Sequence, residues 1–317
     1  MQSAQIKELT WHDPRQRIWG FHCHQELPLT QFSDALLIQQ RLAEFLQAHD
    51  IHIDNDDAIK PGYGPHLEHM WELRVERADI DVLEQMGMAI SFMAVNRFGL
   101  SGYIHPLMHD RAKDEDLQGE GLYNQPNAIW FTYEVEQAQS FFFDPPRDQQ
   151  GRIVDTRTPR IISPQERSEL LSAASSTLSF RDPHAVIING YHIHVDFDAA
   201  DKDLAMLTFE KFLAYLDAAN LTPTSTRIYE PKENGPHVRG GWEVKFRRSG
   251  CTMLRDIGIA IGWLMCNRQG LSVFAHPETW QDGDIKEELL AHEKYAFFIG
   301  KAPILDLRFF SDQIKPD

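Results

Sequence analysis

The chain has 317 residues, long enough for two ordinary domains, and carries 31 basic against 47 acidic side chains for a net charge of −16. Such a surface repels the phosphate backbone of nucleic acids and anionic lipid headgroups, so neither is an expected partner. The longest apolar runs, such as Ile257 to Cys266, fall short of the roughly 20 residues a membrane span needs, and no basic-then-apolar segment opens the chain, so no membrane association and a cytoplasmic location are expected. Cys23, Cys251 and Cys266 show no CxxC spacing, which argues against a disulfide framework and a thiolate zinc site. A metal here would be held by nitrogen and oxygen.

In chain order, apolar alternation and helical spacing predict a strand over 18–25, a helix over 33–48, a strand near 51–53, a strand over 70–76, a helix over 80–96 and a strand over 100–105. Residues 141–183 read as a linker, with Asp144-Pro145-Pro146 and a polar stretch from Asp148 to Gly151. Within it Ser163-Pro164-Gln165-Glu166 has the pattern of an N-cap, a first-turn proline and a capping box, which predicts a helix to about Leu178 packed between the two halves. A second series follows: a strand from Tyr191 to Phe197, a helix over 204–216, strands over 225–229 and 242–246, a helix marked by Met253, Leu254, Ile257, Ile261, Leu264 and Met265 and closed by Gly270, and a strand over 271–275. The order β-α-β-β-α-β predicts an α+β fold of two tandem ferredoxin-like domains.

The two series repeat one another in sequence as well. Trp19-Gly20-Phe21-His22-Cys23-His24 returns as Asn189-Gly190-Tyr191-His192-Ile193-His194, and Gly64-Pro65-His66 with Trp71-Glu72 returns as Gly235-Pro236-His237 with Trp242-Glu243. Asn96-Arg97-Phe98-Gly99-Leu100-Ser101 through His105-Pro106 returns as Asn267-Arg268-Gln269-Gly270-Leu271-Ser272 through His276-Pro277. The near-constant offset points to one duplicated domain, giving a first repeat at 1–140, the linker at 141–183 and a second repeat at 184–317.

Alternation along a strand decides which side chains can meet. With Ile193, Val195, Phe197, Trp242, Val244, Leu271, Val273 and Ala275 under the helices, His192, His194, Glu243 and His276 share the opposite face. His22, His24, Glu72 and His105 form the same set in the first repeat. Two imidazoles and a carboxylate with open positions form the facial triad of non-haem Fe(II) oxygenases. His237 and His66, on the loops before the third strands, are candidates for a further ligand or a catalytic base. The plain alternatives are a polar strand face for His-x-His, ion pairing with Arg74 or Lys245 for Glu72 and Glu243, helix closure for Asn96 and Asn267, turn formation for Gly64-Pro65 and Gly235-Pro236, and core packing for Trp71 and Trp242.

Together, His-x-His, Gly-Pro-His leading into Trp-Glu, and Asn-Arg-x-Gly-Leu-Ser-x-x-x-His-Pro resemble the DOPA 4,5-dioxygenase-like family over nearly all of each repeat. The resemblance implies a ferredoxin-like fold and extradiol opening of a catechol ring with dioxygen. It carries metal or catalytic roles onto His22, His24, His66 and His105, and onto His192, His194, His237 and His276. Family members also place a histidine before an Ala-x-Trp-x-Gly segment. His292 before Ala296-Phe297-Phe298-Ile299-Gly300 is similar, whereas the first repeat has Asn124 before Ala128-Ile129-Trp130. The first repeat has the more family-like middle block, with Met70 before Trp71-Glu72.

The resulting expectation is an extradiol dioxygenase using Fe(II), with zinc or another divalent metal as the alternative ion and a catechol-type aromatic and dioxygen as partners. His192, His194, His276, Glu243, His22, His24, His105 and Glu72 would hold metal, with His237, His66 and His292 catalytic. The tandem reads as a pseudo-dimer within one chain that can pair further. Two other readings are a metal- or ligand-binding protein without turnover, and a metal-free binding domain whose histidines line a cleft.

Overall fold

A computed structural model describes residues 9–61, 68–76, 81–108, 125–131, 161–183, 188–233, 235–247, 251–279 and 284–314. The first half runs α1 (Pro14–Arg17), β1 (Gly20–Leu27), α2 (Leu29–Gln47), β2 (Ala58–Ile59), β3 (His69–Val75), α3 (Val82–Asn96), β4 (Gly102–Leu107) and β5 (Ile129–Phe131). After α4 (Pro164–Ala173) come β6 (Gly190–Phe197), α5 (Lys202–Ala218), β7 (Ser225–Tyr229), β8 (Gly240–Arg247), α6 (Cys251–Asn267) and β9 (Ser272–Glu278). The chain ends with α7 (Ile285–Leu290), a π turn (Ala291–Tyr295), β10 (Phe297–Ile299) and α8 (Arg308–Ser311). The fold is α+β.

Among the described residues, ten strands form one sheet, ordered β2-β3-β1-β4-β5-β10-β9-β6-β8-β7. The first strand of each half lies between the third and fourth strands of that half. Phe131 pairs with Phe297 and Ile129 with Ile299, so β5 and β10 carry the ladder from one half into the other. Alternate strand residues Phe21, Cys23, Trp71, Leu73, Ile193, Val195, Trp242 and Val244 join the buried faces of the four long helices in a single apolar core spanning both halves. The tryptophan N–H groups are satisfied there, Trp71 Nε1 donating to Gln25 Oε1 and Trp242 Nε1 to the Ala205 carbonyl, each at 3.1 Å.

Helices α3 and α6 cross at Gly87 and Gly258. A Cβ on Gly258 would stand 1.8 Å from the Leu83 carbonyl oxygen, and one on Gly87 2.2 Å from that of Leu254, so only glycine lets the two backbones touch. One turn on, the Tyr191 hydroxyl of β6 donates to Ser91 Oγ of α3 at 2.8 Å, a buried link between halves. The corresponding positions in the other direction are Phe21 and Gly262, which offer no side-chain polar atoms for such a bond.

The Asn-Arg pair ending each central helix also works across the halves. Asn96 exchanges two hydrogen bonds with the backbone of Arg181, at 2.7 and 2.8 Å, and Asn267 does the same with His12. Beside these bonds Trp11 stacks on Trp263 with centroids 5.7 Å apart, and Phe180 lies 6.4 Å from Phe92. The segment leading into each first strand is thus gripped by the opposite half. These asparagines are fully buried, and their amides complete the backbone hydrogen bonds of an arm rather than merely closing a helix.

Three expectations need correction. The second strand of the first half lies at Ala58–Ile59, not near 51–53. Ile51 instead closes α2, its N–H reaching back to the Leu46 carbonyl at 3.1 Å behind Asp50 at φ 60°, the pattern of a Schellman cap. The linker helix ends at Ala173 because Ala174 is extended, and it does not pack between the halves. Ser163 caps it as expected, but Glu166 pairs with Lys60 and Arg167 bonds Gln39, placing the helix against α2 at the outer edge of the first half. Residues 141–160 lie outside the described residues. Among the described residues no helix is long and apolar enough to cross a membrane.

Candidate metal centre

Pleating puts the first strand's histidines on the face away from the helices, and register decides which neighbours join them. His192 stands opposite His276 and His194 opposite Glu243; in the first half His22 stands opposite His105 and His24 opposite Glu72. Three groups of imidazoles therefore have ligand atoms within 4.8 Å of one another, and all members are buried: His22, His24 and His105; His192, His194 and His276; and His194, His237 and His292.

The second half gathers five histidines. His194 lies at the middle of them, its ring centroid 4.2 Å from His237 and 5.6 Å from His276, while His276 and His292 are 4.0 Å apart. Neither ring nitrogen of His194 has a hydrogen-bond partner, nor does Nε2 of His237. The outer nitrogens are held. His237 Nδ1 meets Asp196 at 3.1 Å, whose Oδ1 accepts from Tyr229 at 2.9 Å, and His292 Nδ1 meets the Glu288 carbonyl at 2.9 Å. Fixing one nitrogen on a carboxylate or carbonyl while the other faces a cluster is how ligating histidines are oriented.

The carboxylates sit just outside this ring set. Glu243 Oε2 is 3.7 Å from His194 Nδ1 and its other oxygen 3.3 Å from Lys245, while Glu72 has one oxygen 3.8 Å from His22 and His24 and the other on Arg74. Both glutamates thus do the ion pairing that was the plain alternative while staying beside the histidines. Spacing missed Glu278, which hydrogen-bonds His192 Nε2 and pairs with Arg247 Nε at 2.8 Å. The available signal was a charge following His276-Pro277 where the first half has the apolar Leu107. His66 lies outside the described residues, as does Asn124.

The first-half cluster is smaller. His24 and His105 approach at 3.1 Å between their Nε2 atoms, and His24 stacks on Tyr103 at 4.8 Å, with Trp130 on the far side of the tyrosine at 4.8 Å.

Burial dominates the electrostatics. Desolvation, reinforced by neighbouring imidazoles, holds His194 and His276 well below the ordinary histidine pKa, and burial brings His292 to about 3. Burial works to raise the Glu278 pKa, but hydrogen bonds from His192 and Arg247 outweigh it and bring it to about 2, so the glutamate is ionised. Below pH 6.5 the unfolded chain protonates the imidazoles of His194, His276 and His292 while the folded chain does not. The contribution of these rings to the stability of the metal-free protein is therefore full above that pH and is lost as pH drops. Thermal unfolding of metal-free protein should show a steeply lower midpoint at pH 5.5 than at pH 7.5. A flat profile would contradict the burial of neutral rings.

Residues 191–309, which contain the five clustered histidines, match the profile of the Dopa 4,5-dioxygenase family. Among solved structures, a candidate dioxygenase of Nostoc punctiforme PCC 73102 aligns at 30% identity and a TM-score of 0.32, covering 42% of this chain and 99% of that one. The periplasmic protease PqqL of Escherichia coli aligns at 12% identity and a TM-score of 0.19 over 74% of this chain and 37% of its own, a likeness too slight to bear on fold or function. No curated protein matches. On this profile match, residues 191–309 of the chain belong to the Dopa 4,5-dioxygenase family.

Proposed function

We propose that the second half is the catalytic half of a non-haem, metal-dependent dioxygenase that opens a catechol-type ring in the extradiol manner, with Fe(II) as its metal. The observation carrying this reading is the convergence, beside His292, of nitrogens of His194 and His237 that lack hydrogen bonds, inside a family of dioxygenases. Buried polar atoms without partners cost about 1–3 kcal/mol each, a cost that a bound cation removes. Neutral imidazoles suit Fe(II) and also zinc. His194, His237 and His292 would hold Fe(II), which would supply the redox chemistry toward dioxygen that no side chain carries.

The protein's own part is orientation and proton handling. Asp196, steadied by Tyr229, keeps the His237 proton on Nδ1 and turns Nε2 toward the cluster. His192, bonded to ionised Glu278, takes a proton from a substrate hydroxyl and returns it on ring opening. His237 and His292 thus act as ligands and His192 as proton carrier, reversing the roles expected from strand alternation and the family resemblance. Phe274 and Phe310, with rings 5.9 and 4.8 Å from that of His292, wall the cluster from water.

The two halves are read as one ferredoxin-like unit repeated and fused, a pseudo-dimer in a single chain. The first half, with three clustered histidines under Tyr103, is read as a site for metal without turnover. Anaerobic loading with Fe(II) and a catechol, then air, should consume oxygen and give a yellow ring-opened product. Metal uptake with no oxygen consumption for any catechol would instead leave a metal-binding protein of the same scaffold.

A further inference from the structure

The second-half centre is not built from the second half alone. Arg97 leaves the end of α3 in the first half, is almost fully buried at 1% exposure, and crosses the interface. Its Nη2 donates to the carbonyl of Lys294 and, at 3.3 Å, to that of Ala296. Its guanidinium lies 5.7 Å from the Phe131 ring. Burial lowers its pKa to about 10, which leaves it a cation at neutral pH.

Those two carbonyls close the π turn Ala291–Tyr295, whose second residue is His292. The carbonyls at a helical C-terminus lack partners within the helix and carry partial negative charge, so a buried cation there fixes the turn. We propose that Arg97 is a positioning residue for the metal centre of the other half: it holds the π turn so that the His292 ring faces His194 and His237. The proposal rests on the reading of His292 as a ligand.

The fold contains its own control. Arg268, at the matching end of α6, reaches the opposite way and donates to the Pro126 carbonyl at 2.8 Å. Its target segment carries Asn124 in place of the histidine. A merely cohesive role makes the two arginines equivalent, whereas a positioning role makes them unequal.

The test uses full-length protein titrated with Co(II), read by d–d absorption and affinity, with hydrogen exchange of amides 291–296 measured in metal-free protein. Arg97→Gln should weaken Co(II) binding roughly 10- to 100-fold, the usual effect of losing an orienting partner, shift the spectrum toward that of His292→Asn, and speed exchange in the π turn. Arg97→Lys, whose ammonium reaches one carbonyl at a time, should fall between Arg97→Gln and wild type. Arg268→Gln should leave the second-half spectrum and exchange unchanged. Should Arg97→Gln fail to fold, Arg97→Lys decides by the same criteria. Equal behaviour of the Arg97 and Arg268 variants, whether both unchanged or both weakened alike, would overturn the proposal. If wild type takes up no Co(II), the metal reading fails, and exchange over 291–296 alone decides whether Arg97 holds the turn.

Discussion

Replacing His194 by alanine should abolish catechol turnover and lower metal affinity by at least about 100-fold, a loss exceeding that from removing a mere orienting partner. His194 is the one residue common to both second-half triads, and its ring nitrogens have no protein hydrogen bond to lose. Its imidazole is therefore poorly explained as a contributor to the stability of metal-free protein, where it is a desolvated polar group held neutral. The same substitution should leave the metal-free protein no less stable and make it more tolerant of acid. Metal analysis and thermal unfolding on one preparation check both halves of the expectation. A variant that loses stability but keeps its metal would make His194 an ordinary core histidine. His24→Ala, the matching change in the first half, should spare turnover and remove the metal held there.

The largest structural effect is expected at the helix crossing. Gly258→Ala places a methyl group 1.8 Å from the Leu83 carbonyl oxygen and 2.6 Å from the Gly87 nitrogen, and backbone cannot swing aside as a side chain can. Relief requires α3 and α6 to separate, which loosens core on both sides and strains the Tyr191–Ser91 bond. A cost above about 3 kcal/mol is expected, at or beyond the top of the usual range for overpacking. Gly99→Ala is the contrast. It has open space around its Cβ and suffers only from φ +80°, so it should cost about 1 kcal/mol. Urea denaturation of the two variants should differ accordingly. Similar midpoints would mean that the crossing yields more easily than its distances imply.

Much of the site was legible because alternation is a local property. Once Ile193, Val195 and Trp242 were placed inward, the face carrying His192, His194, Glu243 and His276 followed, and the register pairs His192 with His276 and His194 with Glu243. The long helices were legible for the same reason. What escaped reading depends on contacts distant in sequence. Strands β5 and β10 are three residues each, too short for a period to show, and exist because each finds the other. The reach of Arg97 to Lys294 and the grip of Asn96 on Arg181 leave no local trace, so Asn96 read as helix closure and Arg97 drew no reading of its own. The misplaced strand at 51–53 arose because a hydrophobic cap residue such as Ile51 has the same composition as a strand residue.

Joining β5 to β10 inside one polypeptide also frees assembly from mass action. A centre that borrows an arginine from a neighbouring subunit would empty on dilution, whereas here the donor is tethered and its local concentration does not depend on how much protein a cell makes. The tether also lifts a symmetry constraint. In a homodimer every substitution appears on both sides of the axis, but in this chain Tyr191 bonds Ser91 while the matching positions are Phe21 and Gly262, which carry no polar side-chain atoms. The two halves can thus specialise, one carrying a polar latch that the other lacks.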